Sequence, residues 1–273
     1  MARNTGLMPD QQPPRSGSEG KDRKFVTALA RGLEILRAFT PEDEYLGNRE
    51  LTRRTGIPPS TVSRLTYTLT KLGYLRHDPK VDKYALDIGT LSLGYRRLAQ
   101  DRVRAVARPY MQALSEATGC FVGLAAPDDL EMIYIEVFQG RGPLVLRVEA
   151  GSRSSLAEVG KGYLAALPEP RRSELIARIK ATCRPEEWPR ISQRFERARR
   201  QYKERGFCSA VGEPVPEVSA VSVPLVLNGS HEILDFHCGG LTRHLTAEIL
   251  ENNIGPRLAA LVNRVKADLS SHT

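Results

Sequence analysis

The chain has 273 residues, of which 41% are hydrophobic, and this size favours two globular domains over one. We find no apolar run long enough to span a bilayer and no signal peptide, so we expect a cytoplasmic protein that does not enter a membrane. The formal net charge is +8. Residues 1–102 carry 18 Lys or Arg against 12 Asp or Glu, and the rest carries 22 against 20, so the basic excess lies near the N-terminus.

The first 40 residues predict a tail followed by a helix. Residues 1–22 are rich in Pro and Gly and poor in apolar groups, which is typical of a disordered segment. Over 25–39, apolar residues recur at helical spacing and form one stripe: Val26, Leu29, Leu33 and Leu36. The stripe can pack within its own domain or against a second copy, and its sequence leaves both open.

Residues 48–67 predict two short helices joined by a tight turn. Gly56 stands at the turn, where a positive φ is wanted, and Pro58 and Pro59 suit the first turn of the second helix. On that helix the apolar residues are three or four positions apart and are expected to be buried: Val62, Leu65, Leu69 and Leu72. This is the pattern of a helix-turn-helix that places its second helix in the DNA major groove.

The charges around this motif favour a polyphosphate partner. No Asp or Glu occurs between Leu51 and His77, although solvated helices normally mix both signs. Ser60 can also act as a helix N-cap, whereas Arg64 has no acidic residue within a turn to pair with. We expect the following side chains to contact DNA through the helix-turn-helix: Arg49, Ser60, Thr61, Ser63, Arg64 and Tyr67.

The next segment predicts a β-hairpin, the wing of a winged helix. Two short strands over 74–75 and 84–86 flank the turn formers Asp78, Pro79 and Lys80. An ordinary solvated hairpin is the alternative. We expect contacts to the DNA backbone from these residues: Arg53, Arg54, Lys71, Arg76, Lys80 and Lys83. The DNA-binding domain is then 23–87, followed by a connector helix over 88–102.

Residues 103–272 alternate between helical and strand patterns, which predicts an α+β domain with an antiparallel sheet. Strands are predicted at 120–126, 132–138, 144–148, 219–227 and 233–238. Helices are predicted at 103–117, 159–167, 171–180, 189–205 and 256–269. Asn228-Gly229 between two apolar runs indicates a hairpin. Four scattered cysteines without a C-x-x-C pair predict reduced thiols.

The ordered set of motifs resembles the IclR family of bacterial transcriptional regulators over about 25–270. The resemblance is carried by 28–36, 50–58, 60–65, 72–75, 84–86, 151–153, 160–161, 205–207, 216–220 and 223–224. It implies a winged helix-turn-helix, a GAF-like effector-binding domain, a homodimer or a homotetramer of two dimers, and ligand-tuned binding to a promoter. Thr52, the short 154–161 segment and Ala220 depart from the family pattern, so we carry over no particular ligand.

An effector site is expected on one face of the C-terminal sheet. In strand 233–238, Asp235 and His237 alternate with the apolar residues, so they face either solvent, the simplest reading, or a polar pocket. By resemblance, the strand that carries Ala220 and Ser222 lines the family's pocket. The expected effector-binding residues are Arg147, Gly160, Ala220, Ser222, Asp235 and His237, and a small organic acid would suit the basic ones.

An enzyme is disfavoured. The chain has no G-x-S-x-G, no Gly-rich phosphate loop and no H-E-x-x-H, and His237 and Cys238 lie on opposite faces of a strand. We therefore interpret the chain as a regulator that binds double-stranded promoter DNA and an organic or aromatic acid of a catabolic pathway, without cofactor or metal. The alternative is a small-molecule enzyme or metabolite-binding protein with a fused helix-turn-helix.

Overall fold

The computed structural model describes residues 24–140, 148–227 and 232–271. The chain divides into two compact units, Met1–Ala99 and Gln100–Thr273. The predicted disordered tail over 1–22 lies outside the described residues. Within the described ranges, the helices are too short or too polar for any of them to cross a bilayer.

The N-terminal unit is a helix-turn-helix followed by a hairpin and a further helix. Its elements are α1 Thr27–Arg37, α2 Asn48–Thr55, α3 Pro59–Lys71, β1 Leu75–Asp78, β2 Lys83–Leu86 and α4 Ile88–Ala99. The two strands are antiparallel, with Leu75 opposite Leu86 and Asp78 opposite Lys83. The predicted winged helix-turn-helix is confirmed.

The apolar spacing of α2 and α3 produces the core of this unit. Leu51 and Val62 are fully buried between the helices, and Gly56 makes the turn at φ +68°. The expectation that Leu72 is buried was wrong, since it is 63% exposed. Leu72 is the C-cap of α3, where the helical repeat that turns Leu69 inward has ended.

Two helices of this unit leave apolar side chains uncovered. Leu29 and Leu33 of α1 are 63% and 50% exposed, so packing within the domain does not account for the predicted stripe. Helix α4 buries none of its residues, and Leu91 and Tyr95 are more than half exposed. Exposed apolar area of this kind marks an interaction surface.

The C-terminal unit is built on an antiparallel sheet. Its elements are α5 Arg102–Thr118, β3 Phe121–Asp128, β4 Glu131–Phe138, β5 Arg153–Ser155, α6 Leu156–Val159, α7 Lys161–Ala166, α8 Arg171–Thr182, α9 Trp188–Arg205, β6 Cys208–Val211, β7 Val218–Val226, β8 Ile233–Leu241, α10 Ala247–Ile249, a π-helical turn Leu250–Ile254 and α11 Gly255–Ser271. The spatial order of the strands is β5-β4-β3-β8-β7-β6. The predicted α+β class is confirmed.

Two short strands were not predicted, and two other predictions fall mainly on residues outside the described ranges. The strand expected at 144–148 falls on residues outside the described ranges, except Val148, which is not in a strand. Strands β5 and β6 were missed because runs of three and four residues beside a helix carry little periodic signal. The turn Asn228-Gly229 also lies outside the described residues, but β7 and β8 pair as the predicted hairpin requires, with Val226 opposite Ile233.

The sheet has helices on both faces. One face packs against α5 and α11, and the other packs against α6, α7 and the helices beyond them. The alternation of β8 assigns its side chains to these two layers: Leu234, Phe236 and Cys238 enter the α5–α11 core, while Asp235 and His237 point to the α7 side. Polar residues are therefore buried under α7.

Candidate functional site

Helix α3 presents a polar, positively charged face. Pro58 is the N-cap and Pro59 the first helical residue, so the alternative role of Ser60 as an N-cap was wrong. Ser60 lies instead in the exposed first turn. Ser63, Arg64 and Tyr67 are exposed on the same helix, while Thr61 is half-buried.

Further cations lie around this face. Arg49 and Arg53 of α2 are exposed, as is Lys80 in the hairpin turn. The Lys71 ammonium lies 5.4 Å from the centre of the Tyr67 ring, a cation–π contact that holds both side chains at the end of α3. Arg76 lies 5.3 Å from the centre of the Tyr45 ring, also a cation–π contact.

Two of the expected backbone contacts are engaged inside the domain. Arg54 donates to both carboxylate oxygens of Asp43, and this hydrogen-bonded pair holds the pKa of Asp43 well below its usual range. Lys83 Nζ lies 3.3 Å from Glu50 Oε2, a carboxylate that also accepts from Gly47 N. The acids come from beyond the acid-free stretch, so local sequence could not show them.

In the C-terminal unit, a cavity of about 210 Å³ lies between the sheet and α6–α7, and we call it the sheet cavity. Its walls come from all six strands of the sheet, from α6 and α7, and from the segment 213–215. The lining residues include Phe121, Tyr134, Glu158, Val159, Lys161, Glu213, Val215, Ala220, Ser222 and His237. Apolar walls with a few buried polar groups are typical of a small-molecule site.

The polar floor of the sheet cavity is a row of three buried side chains. Tyr134 Oη lies 2.8 Å from His237 Nδ1, and His237 Nε2 lies 3.2 Å from Asp235 Oδ2. His237 Nε2 makes no aligned hydrogen bond among the described residues, so the direction of the Tyr134–His237 hydrogen bond follows from the His237 tautomer. Burial raises the pKa of Tyr134, which keeps this hydroxyl protonated. The expected solvent exposure of Asp235 and His237 was wrong: both are buried.

Two glycines permit this arrangement. Gly123 lies on β3 between Tyr134 and His237, and a Cβ there would stand 2.7 Å from the Tyr134 ring. Gly162 lets the start of α7 approach β8, since its Cβ would lie 2.5 Å from Asp235 Oδ1. With that space open, Tyr163 N donates to Asp235 Oδ2 at 2.9 Å.

One wall of the sheet cavity carries a buried lysine paired with a glutamate. The Lys161 side chain is only 9% exposed, and its Nζ lies 3.9 Å from Glu213 Oε2. Burial lowers the pKa of Lys161 to about 8, and the attraction of Glu213 offsets only part of that effect. Arg194 and Arg197 of α9 approach the same oxygen of Glu213 from the other side.

The structure brings most of the predicted effector residues together. Ala220, Ser222 and His237 line the sheet cavity, and Asp235 supports His237 from behind. Gly160 is buried at the start of α7, where a Cβ would lie 2.3 Å from Leu156 Cδ1. Arg147 lies outside the described residues.

Several polar residues of the cavity were not predicted from the sequence, among them Lys161, Tyr134 and Glu213. The pair Gly160-Lys161 was noted as a motif, and Lys161 beside two glycines was the available signal. Tyr134 reads as an ordinary core aromatic of a strand, and Glu213 belongs to a Pro-rich segment with no periodic pattern. Their roles depend on contacts between distant parts of the chain.

A larger cavity of about 490 Å³ lies beside Cys120, Gly140 and Gly240. Three of its polar lining residues, His244, Asn253 and Arg257, are solvent-exposed. Because a buried polar group discriminates between ligands far better than an exposed one, the smaller sheet cavity is the better candidate.

Replacing Tyr134 with phenylalanine is expected to destabilise the C-terminal unit by about 1 kcal/mol, because His237 Nδ1 loses its partner in a buried site. Urea unfolding followed by circular dichroism measures this change. Tyr67→Phe is the matched control, since that ring is 63% exposed. Equal stability of Tyr134→Phe and the natural protein would contradict the hydrogen bond.

The comparisons with known proteins agree with this architecture. The IclR helix-turn-helix domain matches residues 28–79, and the bacterial transcriptional regulator IclR C-terminal domain matches residues 96–233. The HTH-type transcriptional regulator TsaQ1/TsaQ2 of Comamonas testosteroni is 33% identical over 249 residues, which is 90% of this chain and 89% of that protein.

Solved structures show the same fold. The crystal structure of an IclR family transcriptional regulator from Brucella abortus superposes with a TM-score of 0.85 at 44% identity, over 93% of this chain and 96% of that one. An IclR homolog from Microbacterium hydrocarbonoxydans, solved in complex with 4-hydroxybenzoate, is 19% identical with a TM-score of 0.69, over 89% of this chain and 99% of that one. With both domain types matched in order, and relatives that are named as regulators rather than enzymes, the chain belongs to the IclR family of bacterial transcriptional regulators.

Proposed function

We propose that the chain binds a specific promoter sequence through α3 and that a small anionic metabolite in the sheet cavity controls this binding. The DNA part is carried by the exposed face of α3, where Arg64 and Ser63 stand free of the acids that engage Arg54 and Lys83. Side chains of this kind near a helix N-terminus can reach base edges in the major groove.

The proposed DNA contacts follow from exposure and charge. On the helix-turn-helix they are Arg49, Ser60, Thr61, Ser63, Arg64 and Tyr67, and toward the backbone they are Arg53, Lys71, Arg76, Lys80 and Lys83. Arg54 is left out because Asp43 neutralises it. Lys83 stays in the set because its ion pair with Glu50 is half exposed and weak.

Fluorescence anisotropy with the DNA upstream of the coding sequence, compared with a shuffled duplex of equal length, tests this proposal. Specific binding should exceed non-specific binding by at least about a thousandfold and should weaken steeply with salt. Equal affinity for both duplexes at every salt concentration would contradict a sequence-specific regulator.

We infer that the effector is an organic acid, because Lys161 is a buried cation at the wall of a largely apolar cavity. A carboxylate would meet Lys161 and Ser222, and its carbon skeleton would meet Phe121 and Val215. The homolog from Microbacterium hydrocarbonoxydans was solved with 4-hydroxybenzoate, which makes benzoic acids suitable first probes.

The affinity for benzoate is expected to fall as pH rises through about 8. Lys161 has a pKa of about 8, so its charge is present below that pH and is lost above it, while benzoate remains ionised throughout. The decrease approaches tenfold per pH unit above the pKa. The other groups around Lys161 are Glu213, Arg194, Arg197 and Cys208, and the pKa of Cys208 is raised to about 12, so its thiol stays neutral.

Isothermal titration with benzoate between pH 7 and pH 9.5 measures this dependence. Lys161→Met serves as the control, since it should bind weakly with a flat pH profile. A steep profile that persists in Lys161→Met would assign the titration to another group.

A further inference from the structure

Glu213 occupies the anion position of the sheet cavity from within the chain. Three cationic side chains of the described residues converge on one of its oxygens: Lys161 of α7, and Arg194 and Arg197 of α9. Glu213 itself is 23% exposed in its side chain and lines the sheet cavity beside Lys161. An internal carboxylate therefore stands where an acid ligand would have to bind.

The cation cluster is only partly satisfied by Glu213. The Arg194 side chain is 8% exposed, and its Nε lies 3.4 Å from Glu213 Oε2 without forming an aligned hydrogen bond. Its Nη2 is also buried, with no hydrogen-bond partner among the described residues. A buried guanidinium with unmade hydrogen bonds is costly, so a further acceptor in this place would be favourable.

Glu213 is carried by a short segment, 212–217, that connects β6 and β7. Gly212 starts the segment in the left-handed region at φ +60°, and its N–H donates to Ser219 Oγ at 3.3 Å. Val215 of the same segment lines the sheet cavity and is 38% exposed. The ion pairs of Glu213 are thus the polar link between this segment and α7 and α9.

We propose that Glu213 is an internal competitor of the effector, displaced from Lys161 by the carboxylate of the bound acid. This inference rests on the proposed acid-binding function of the sheet cavity and adds its specificity: a neutral ligand of the same shape cannot displace Glu213. Displacement removes the ion pairs that hold segment 212–217 to α7 and α9, so occupancy of the cavity is converted into a movement between β6 and β7. The apparent affinity is lowered by the fraction of molecules in which Glu213 holds the site.

The test compares benzoate with its neutral analogue benzamide by isothermal titration of the full chain. Glu213→Gln should bind benzoate about tenfold more tightly than the natural protein does. Its affinity for benzamide should equal that of the natural protein. Glu217→Gln is the matched control, because Glu217 is an exposed carboxylate of the same segment. It should change neither affinity.

A second variant covers the case in which Glu213→Gln fails to fold. Arg197 does not line the sheet cavity and is 39% exposed in its side chain, so Arg197→Gln loosens Glu213 without leaving a buried cation unpaired. It should tighten benzoate binding about two- to threefold. Amide hydrogen exchange over 211–219 should rise when benzoate binds the natural protein and should already be high in Glu213→Gln.

The proposal is overturned if both variants bind benzoate as weakly as the natural protein or more weakly. It is also overturned if neither variant binds benzoate at 50 mM. An equal gain for benzamide would also overturn it. These titrations contain no DNA. If the variants bind benzoate more tightly but the chain binds no DNA, only the proposed function as a DNA-binding regulator is refuted. If benzoate changes the DNA complex but the variants show no tighter binding, only the inference about Glu213 is refuted.

Discussion

Replacing Arg64 with alanine is expected to lower the affinity for the specific promoter by about 1–3 kcal/mol and to relax specificity at one base pair. Arg64 is exposed on α3, one turn beyond Ser60, and it has no acidic neighbour within a helical turn. An unpaired guanidinium in this place can bind a guanine edge with two hydrogen bonds. Anisotropy titrations on the promoter and on duplexes with single substitutions measure both effects.

Arg200→Ala is the matched control for this experiment. Arg200 is also exposed but lies on α9 of the C-terminal unit. Its removal changes net charge by the same amount and should leave specific affinity within experimental error. Equal losses for Arg64→Ala on specific and shuffled DNA would reduce Arg64 to a phosphate contact, and no loss on either would remove it from the interface.

We propose that the chain dimerises through the exposed α1 stripe, so placing glutamates at Leu29 and Leu33 is expected to yield a monomer and to weaken promoter binding by a hundredfold or more. These side chains are 63% and 50% exposed on α1, and burying charges against a second apolar stripe is strongly unfavourable. A monomer loses the second recognition helix, and with it the large gain of binding two half-sites about 34 Å apart.

Sedimentation velocity at micromolar concentration, combined with promoter binding, measures this effect. Thr27→Glu with Ala28→Glu is the control, because both residues are exposed on α1 outside the stripe and add the same charge. If the natural protein sediments as a monomer and still binds the promoter tightly, the dimer proposal fails.

The local sequence determined the DNA-binding unit almost completely. The helix-turn-helix depends on contacts between neighbours in the chain: Leu51 meets Val62, and Gly56 makes the turn between them. Such short-range patterns are legible as periodicity, so the helices, the hairpin and the polar face of α3 could be predicted. The predicted burial of Leu72 was wrong because periodicity does not show at which residue a helix ends.

The sheet cavity could not be predicted from the sequence, because it forms only when separate elements pack together. The alternation in β8 correctly placed His237 on the face opposite the apolar residues. That face is buried because α7 packs on it, and Gly162 allows α7 to approach β8 closely. Tyr134 reaches His237 across β3 only because Gly123 leaves room for its ring.

The sequence also could not show which charged side chains form ion pairs. Asp43 forms an ion pair with Arg54, and Glu213 forms one with Lys161, although the partners of neither pair are adjacent in the chain. Electrostatic energy depends on distance and burial, and both are set when separate elements pack together. The sequence by itself therefore determined most of the helices and strands, the domain types and the polar face of α3, whereas packing alone decided which polar groups are buried together around the sheet cavity.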